Sequence, residues 1–291
     1  FEAAVAAGLA GVGREVWKVG PTATPTVGVL VRELGAAGGV QISASHNPPE
    51  YNGLKFFQPA GMVLSPASGR LVLERWKAKD FAWAPFDGLG RIKSLDEPDE
   101  IHLKRVLEIV DVEAIRAKSF TVALDACHGA GGRMGRALLH RLGCRTLILG
   151  GEPDGLYDHT PEPTEKNLAA FARVTAAAGA AVGFAQDPDA DRLALIDETG
   201  RYIGEELTLA LAARRRLEQR RGPVVLNLST SMTTEALAGE FGCPVVRTPV
   251  GEIHVVEVMR ANDAVLGGEG NGGVIDPRVG FVRDCFVGMA L

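Results

Sequence analysis

The sequence predicts an α/β protein of three similar domains. Three observations point there. Segments that read as strands alternate with segments that read as helices along the whole chain. The alternation begins afresh three times, as a recurring architecture rather than a short repeat. Each recurrence also carries one loop in which chemically capable side chains crowd together. A length of 291 residues suffices for two or three domains with filled cores. A composition 46% hydrophobic and 23% charged is that of an ordinary globular chain.

The first stretch, 1–98, opens with "FEAAVAAGLAGVG", a helix closed by glycines, and "EVWKVG", a strand. "TPTVGVLVRELGAAGG" reads as a second helix and "GVQIS" as a second strand. A strand leaves the turn that follows and carries Lys55, and "SPASGRLVLERW" is a helix capped by its serine. Residues 80–100, rich in Pro, Gly and Asp, read as the crossing into a second domain, 99–216. There a helix is expected from about Ile101 to Lys118, then the strand "FTVALDA", a loop and helix in "GAGGRMGRALLHRLG", and the strand "CRTLILG". "TEKNLAAFARVTAAAG" reads as a helix capped by Thr164, with Leu168, Phe171 and Ala172 on one face. "AAVGFAQDPDADRLALID" is two strands joined by an acidic loop, and "GEELTLALAARRRLEQRRG" a helix. The third stretch, 217–291, runs strand, helix, strand, helix, then "AVLGGEGNGGVI", a strand with its loop. "RDCFVGMAL" reads as the start of a helix.

Composition excludes several classes. The net charge is −5 and no basic stripe occurs, so nucleic acid is not an expected partner. "ARRRLEQRR" is a short basic run at a helix end and reads as a solvated face. No apolar run approaches the ~20 residues of a membrane span. Cys127, Cys144, Cys243 and Cys285 lack zinc-site spacing and read as reduced thiols of a cytoplasmic protein.

Chemistry concentrates in three places. In "QDPDADR", Asp187, Asp189 and Asp191 alternate along a turn and can aim at one centre. Three such charges repel one another unless a hard divalent cation joins them. An EF-hand is excluded, because Arg192 stands where its loop needs glycine and "LALI" continues as a strand. In "SASHNPPEYNGLKFF", Ser45 sits at a strand end in a Pro- and Gly-bounded turn, exposed enough to serve as a nucleophile if a base or cation activates it. Adjacent side chains ordinarily diverge, so no Ser45–His46 dyad is implied. In "GGEGNGGVI", Glu269 and Asn271 lie among glycines and offer partners for sugar hydroxyls. "DACHGAGGRMG" fails the dinucleotide spacing at Met134 and reads as a tight strand-to-helix connection.

A serine loop, a three-aspartate loop and a glycine-rich Glu loop, one per unit and in that order, resemble the α-D-phosphohexomutase superfamily of phosphoglucomutase, phosphomannomutase and phosphoglucosamine mutase. The resemblance extends from "PTATPT" to Arg283 and Asp284. It implies sandwich domains with mixed sheets, and a fourth family domain absent from this chain. It implies an isomerase that moves phosphate between O1 and O6 of a hexose through phosphorylated Ser45 and a hexose 1,6-bisphosphate, which also serves as activator. Ser45 and the three aspartates would hold Mg²⁺. His46 and Lys55 would share proton transfer and charge stabilisation, Arg192 would reach a phosphate, and Glu269 and Asn271 would grip the sugar. The expected partner is a phosphosugar, with no nucleic acid or membrane and with room for a homodimer. A chain without the family's distal-phosphate domain is expected to lose most turnover. The rivals are phosphoglucosamine mutase within the family, a phosphatase that uses Asp187 as nucleophile, and a sugar-phosphate- or metal-binding module without turnover.

Overall fold

The computed structural model describes residues 1–48 and 50–291; Pro49, the second proline of the serine turn, lies outside them. The first unit runs α1 (Glu2–Gly11), β1 (Val16–Lys18), α2 (Thr24–Glu33), β2 (Gly39–Ile42), β3 (Leu54–Phe57), α3 (Pro66–Ala78) and β4 (Ile92–Ser94). Ser65 caps α3, accepting from the Ser68 amide at 3.2 Å. β1 pairs in parallel with β4, a strand hidden in the Pro- and Asp-rich crossing, and β2 pairs antiparallel with β3.

The second unit contains α4 (Asp99–Leu107), α5 (Val112–Arg116), β5 (Thr121–Asp125), α6 (Gly132–Arg141), β6 (Arg145–Leu149), α7 (Ala169–Ala177), β7 (Val182–Gln186), β8 (Leu193–Asp197) and β9 (Tyr202–Gly204). Its five-stranded sheet has the order β6-β5-β7-β8-β9 and is mixed, parallel among β6, β5 and β7 and antiparallel beyond. The single helix expected from Ile101 to Lys118 is two helices. Asp111 restarts the chain by accepting from the Ala114 amide at 3.0 Å, an N-cap inside the run. Thr164 does not cap α7, which begins five residues later after a turn, although Leu168 and Phe171 are buried as expected.

The third unit comprises α8 (Glu205–Gln219), β10 (Val224–Asn227), α9 (Thr233–Glu240), β11 (Val245–Thr248), α10 (Glu252–Ala261), β12 (Leu266–Glu269), β13 (Gly273–Ile275) and α11 (Cys285–Ala290). Its sheet, β11-β10-β12-β13, is likewise mixed. α8 packs against β8 and β9 of one sheet and β12 and β13 of the other. One of its arginines departs from the solvated face expected for the basic run: Arg216 is buried, with its Nε 3.8 Å from Asp276 Oδ2.

Two features of this fold position the site. Each of the three loops lies at the tip of an antiparallel pair: residues 43–53 between β2 and β3, 187–192 between β7 and β8, 270–272 between β12 and β13. The units also share one apolar cluster, which includes Val29, Leu103, Leu124, Leu226 and Phe286. Burial of that seam opposes independent movement of the hairpin tips.

Candidate active site

Ser45 lies in the left-handed region, at φ 53°, where a residue with a Cβ is uncommon. Its amide is bonded to Ser43 Oγ at 2.9 Å, and Asn47 ties back to the Ala44 carbonyl through both its amide and its side chain. Ser45 and His46 are part-buried, whereas Asn47, Pro48 and Tyr51 of the same turn are exposed. The Ser45 hydroxyl donates to Asp187 Oδ2 at 2.9 Å and stands 3.3 Å from His46 Nδ1. That second contact corrects the expectation that the neighbours diverge. The left-handed backbone at Ser45 turns both side chains to the same side.

The acidic loop is built to converge. Asp187 Oδ1 accepts from the amides of Asp191 and Arg192, both at 3.1 Å, and Ala190 takes φ 58° to close the turn. One carboxylate oxygen from each of Asp187, Asp189 and Asp191 lies within 4.8 Å of the others, and all three residues are buried. The connection between β5 and α6 supports this loop from behind. The Ala130 amide donates to the Pro188 carbonyl at 2.7 Å, and a Cβ at Gly129 would stand 2.4 Å from that oxygen. The glycine there serves a tight strand-to-helix connection, as the sequence indicates.

Cations surround the three acids. Lys55 Nζ reaches Asp189 Oδ2 at 2.5 Å and Asp191 Oδ2 at 3.1 Å. Arg283, which spacing alone assigns no role, reaches Asp191 Oδ2 at 2.7 Å, Glu269 Oε2 at 2.7 Å and Glu252 Oε2 at 3.0 Å. Thr24, from the "PTATPT" segment, donates to Asp189 Oδ2 at 2.6 Å. Burial raises Asp187 well above the usual carboxylate range, and Asp191 and Asp189 add to the rise. Burial acts on Asp191 too, but Arg283, then Lys55 and Arg192, outweigh it and hold it low. Lys55 goes up: burial opposes its charge, yet Asp191 and Asp189 prevail. His46 goes down, through burial first and then Arg192.

The donor set fits a hard divalent cation. Asp189 Oδ1 and Asp191 Oδ1 are buried without a hydrogen-bond partner among the described residues. Such orphaned oxygens beside a converging carboxylate are what a metal ion satisfies. Arg192 Nε is likewise buried without a hydrogen bond among the described residues, 3.8 Å from Asp191 Oδ1. Glu269 is more enclosed than expected of a sugar ligand. It is 4% exposed, with Oε1 taking Asn227 at 2.7 Å and the Gly251 amide at 3.2 Å, and Oε2 taking Arg283. Asn271, at the tip of the same hairpin, is part-buried and accepts from the Gly273 amide at 3.3 Å.

The fold brings a serine turn onto a buried three-carboxylate loop in a chain of three α/β units. Comparison with known proteins assigns the family. Family models described as phosphoglucomutase/phosphomannomutase, alpha/beta/alpha domains I, II and III, match residues 1–83, 100–200 and 204–291. The chain belongs to the phosphoglucomutase/phosphomannomutase family of the α-D-phosphohexomutase superfamily. It is 38% identical over 285 residues to a phosphoglucomutase/phosphomannomutase of Thermococcus kodakarensis, covering 97% of this chain and 62% of that protein. A protein of Methanopyrus kandleri named as a probable phosphoglucosamine mutase is 36% identical, with 98% and 62% covered. In fold the chain also resembles a family member from Burkholderia thailandensis, at a TM-score of 0.86 and 24% identity, over 99% of this chain and 64% of that one. The chain thus spans under two thirds of the length of these relatives.

Proposed function

We propose that this chain carries the catalytic groups of a phosphohexomutase, an isomerase that interconverts hexose 1-phosphate and hexose 6-phosphate. The observation that carries the reading is Ser45 Oγ, held 2.9 Å from Asp187 and 3.3 Å from a His46 whose basic form burial favours. Phosphorylated Ser45 gives its phosphoryl group to a free hydroxyl of the sugar, the Ser45 Oγ–P bond breaking as the sugar O–P bond forms and the freed Ser45 Oγ taking up a proton. The hydroxyl proton passes to a base, and neutral His46 is the better candidate because Lys55 is held protonated. The resulting hexose 1,6-bisphosphate, which also acts as activator, turns over and returns its other phosphoryl group to Ser45.

Mg²⁺ held by Asp187, Asp189, Asp191 and phosphorylated Ser45 would neutralise charge on the transferred group. Lys55 and Arg283 fix the carboxylates. Arg192, whose Nε makes no hydrogen bond among the described residues, takes a phosphate oxygen. Asn271 faces sugar hydroxyls from the third hairpin, and Glu269 joins it by exchanging one of its present donors. The phosphatase alternative fits the geometry less well: Asp187 is buried and both its oxygens are already engaged.

The domain divisions at 98/99 and 216/217 are part of this proposal, with α8 shared across the second. So is a cytoplasmic location, supported by four unpaired cysteines, and so is a phosphosugar as the partner rather than nucleic acid or a membrane. No helix among the described residues is long and apolar enough to cross a membrane. A homodimer is compatible with the reading. A coupled assay of the full-length gene product with glucose, mannose and glucosamine 1-phosphates, with Mg²⁺ and a trace of bisphosphate, tests it. Turnover of at least one is expected, and glucosamine phosphate alone would select the phosphoglucosamine mutase alternative. Binding of all three without turnover would instead show a binding module.

A further inference from the structure

Three fully enclosed polar side chains, one from each unit, meet at the seam of the molecule. Thr26 on α2 and His102 on α4 are each 0% exposed, and Asp284, before α11, is 2% exposed. Thr26 Oγ1 lies 2.9 Å from His102 Nδ1, and His102 Nε2 lies 2.7 Å from Asp284 Oδ2. The opposite oxygen of Asp284 caps α11, accepting from the amides of Phe286 at 2.9 Å and Val287 at 3.3 Å. The two ring nitrogens of His102 thus face different partners, Nε2 the Asp284 carboxylate and Nδ1 the Thr26 hydroxyl. Met134 Sδ, 3.5 Å from Thr26 Oγ1, competes with Nδ1 for that hydroxyl's one proton. Phe286 closes the remaining side of the imidazole edge-on, with centroids 5.6 Å apart.

A buried polar chain this costly to leave half-made fixes the relative placement of whatever carries its members. Both of its ends lead to the acidic loop. Two residues before Thr26, Thr24 bonds Asp189 twice, through its hydroxyl to Oδ2 at 2.6 Å and through its amide to the Asp189 carbonyl at 2.9 Å. One residue before Asp284, Arg283 bonds Asp191 Oδ2 at 2.7 Å. Two braces on the carboxylates, from different units, are thus held in register through one histidine.

We propose that His102 is a positioning residue which, through Thr26 on one side and Asp284 on the other, fixes the Thr24 and Arg283 braces and so sets the geometry of the aspartate loop. It touches no reacting atom. The inference deepens the reading of Asp187, Asp189 and Asp191 as metal ligands and rests on it for its second readout only.

The test uses the 291-residue chain and three variants, Thr26→Val, His102→Gln and Thr26→Ser. Thr26→Val is nearly isosteric and removes only the hydroxyl, whereas Thr26→Ser retains it. Hydrogen exchange is measured without metal at the Asp191 and Arg192 amides, and Mn²⁺ affinity is measured by titration. The lock predicts exchange at those two amides about tenfold faster in Thr26→Val and His102→Gln, Mn²⁺ binding weaker by a similar factor, and Thr26→Ser near wild type in both. A merely structural role would lower the melting temperature and loosen α2 and α4 while both loop amides kept wild-type exchange, and that result would overturn the proposal. Were the wild-type chain to bind no Mn²⁺, the metal reading would fail, and the loop amides would still decide for or against the lock.

Discussion

Ser45 Oγ donates to Asp187 Oδ2 at 2.9 Å, across 142 residues of sequence and between the tips of two antiparallel hairpins. One part-buried hydroxyl contributes about 1 kcal/mol through such a bond. Ser45→Ala should therefore unfold in urea within about 1 kcal/mol of wild type. Wild-type protein taken from cells should carry a fraction of one phosphate in the peptide containing residue 45, and the variant none. Phosphate persisting in that peptide of the variant would remove Ser45 from the mechanism.

Asp189→Asn keeps the shape of the loop and an acceptor for Thr24, but removes one of three charges that converge within 4.8 Å. Mg²⁺ affinity, measured by titration calorimetry, should fall by at least about tenfold, since a hard cation selects charged oxygens. Chelation of the full-length gene product should abolish turnover and leave the circular dichroism spectrum in place. Unchanged affinity in the variant would show that the cation, if bound, sits elsewhere.

Two glycines should respond oppositely to alanine. A Cβ at Gly129 would stand 2.4 Å from the Pro188 carbonyl oxygen and 2.6 Å from its Cα, both backbone atoms that move only if the acidic loop moves. Gly129→Ala should cost about 1–3 kcal/mol and weaken metal binding with it. Gly8, inside α1, has nothing within 4 Å of the same position, so Gly8→Ala should stabilise by about 0.5–1 kcal/mol. Urea denaturation of both checks the pair.

Glu205, at the start of α8, is pushed up from 4.5 to about 7, chiefly by burial against the opposing pull of Arg192. Between those pH values the folded chain holds a proton that the unfolded chain has released, so this group's contribution makes stability fall as pH rises through the window. Glu205→Gln should remove that part of the slope, leaving the variant more stable than wild type at pH 8 by up to about 3 kcal/mol and little different at pH 4. Parallel pH profiles for the two proteins would contradict the assignment.

The alternation of elements was legible because each strand or helix carries its own periodicity, and the acidic loop was legible because three aspartates lie within five residues. Where local signals were thin, the reading slipped. β4 has three residues, all exposed, in a turn-rich stretch, and it exists only because β1 lies beside it. The break between α4 and α5 turned on one capping side chain, Asp111, in an otherwise helical run. Arg283 and Thr24 were invisible as site residues because their partners stand 92 and 165 residues away. Glu269 showed the converse: an acid among glycines reads as open, yet its burial follows from the neighbouring strand's Asn227 and from Arg283.

The central claim is that Ser45 is the residue that carries phosphate between sugar positions. Hexose 1,6-bisphosphate labelled with ³²P at both positions, mixed with the wild-type chain and Mg²⁺ and then mapped by peptide, tests it most directly. The account predicts label on Ser45 that survives acid and is lost in alkali, absent from Ser45→Ala and sharply reduced by chelation. Label on Asp187 that is lost in both acid and alkali, with Ser45 unlabelled, would contradict it.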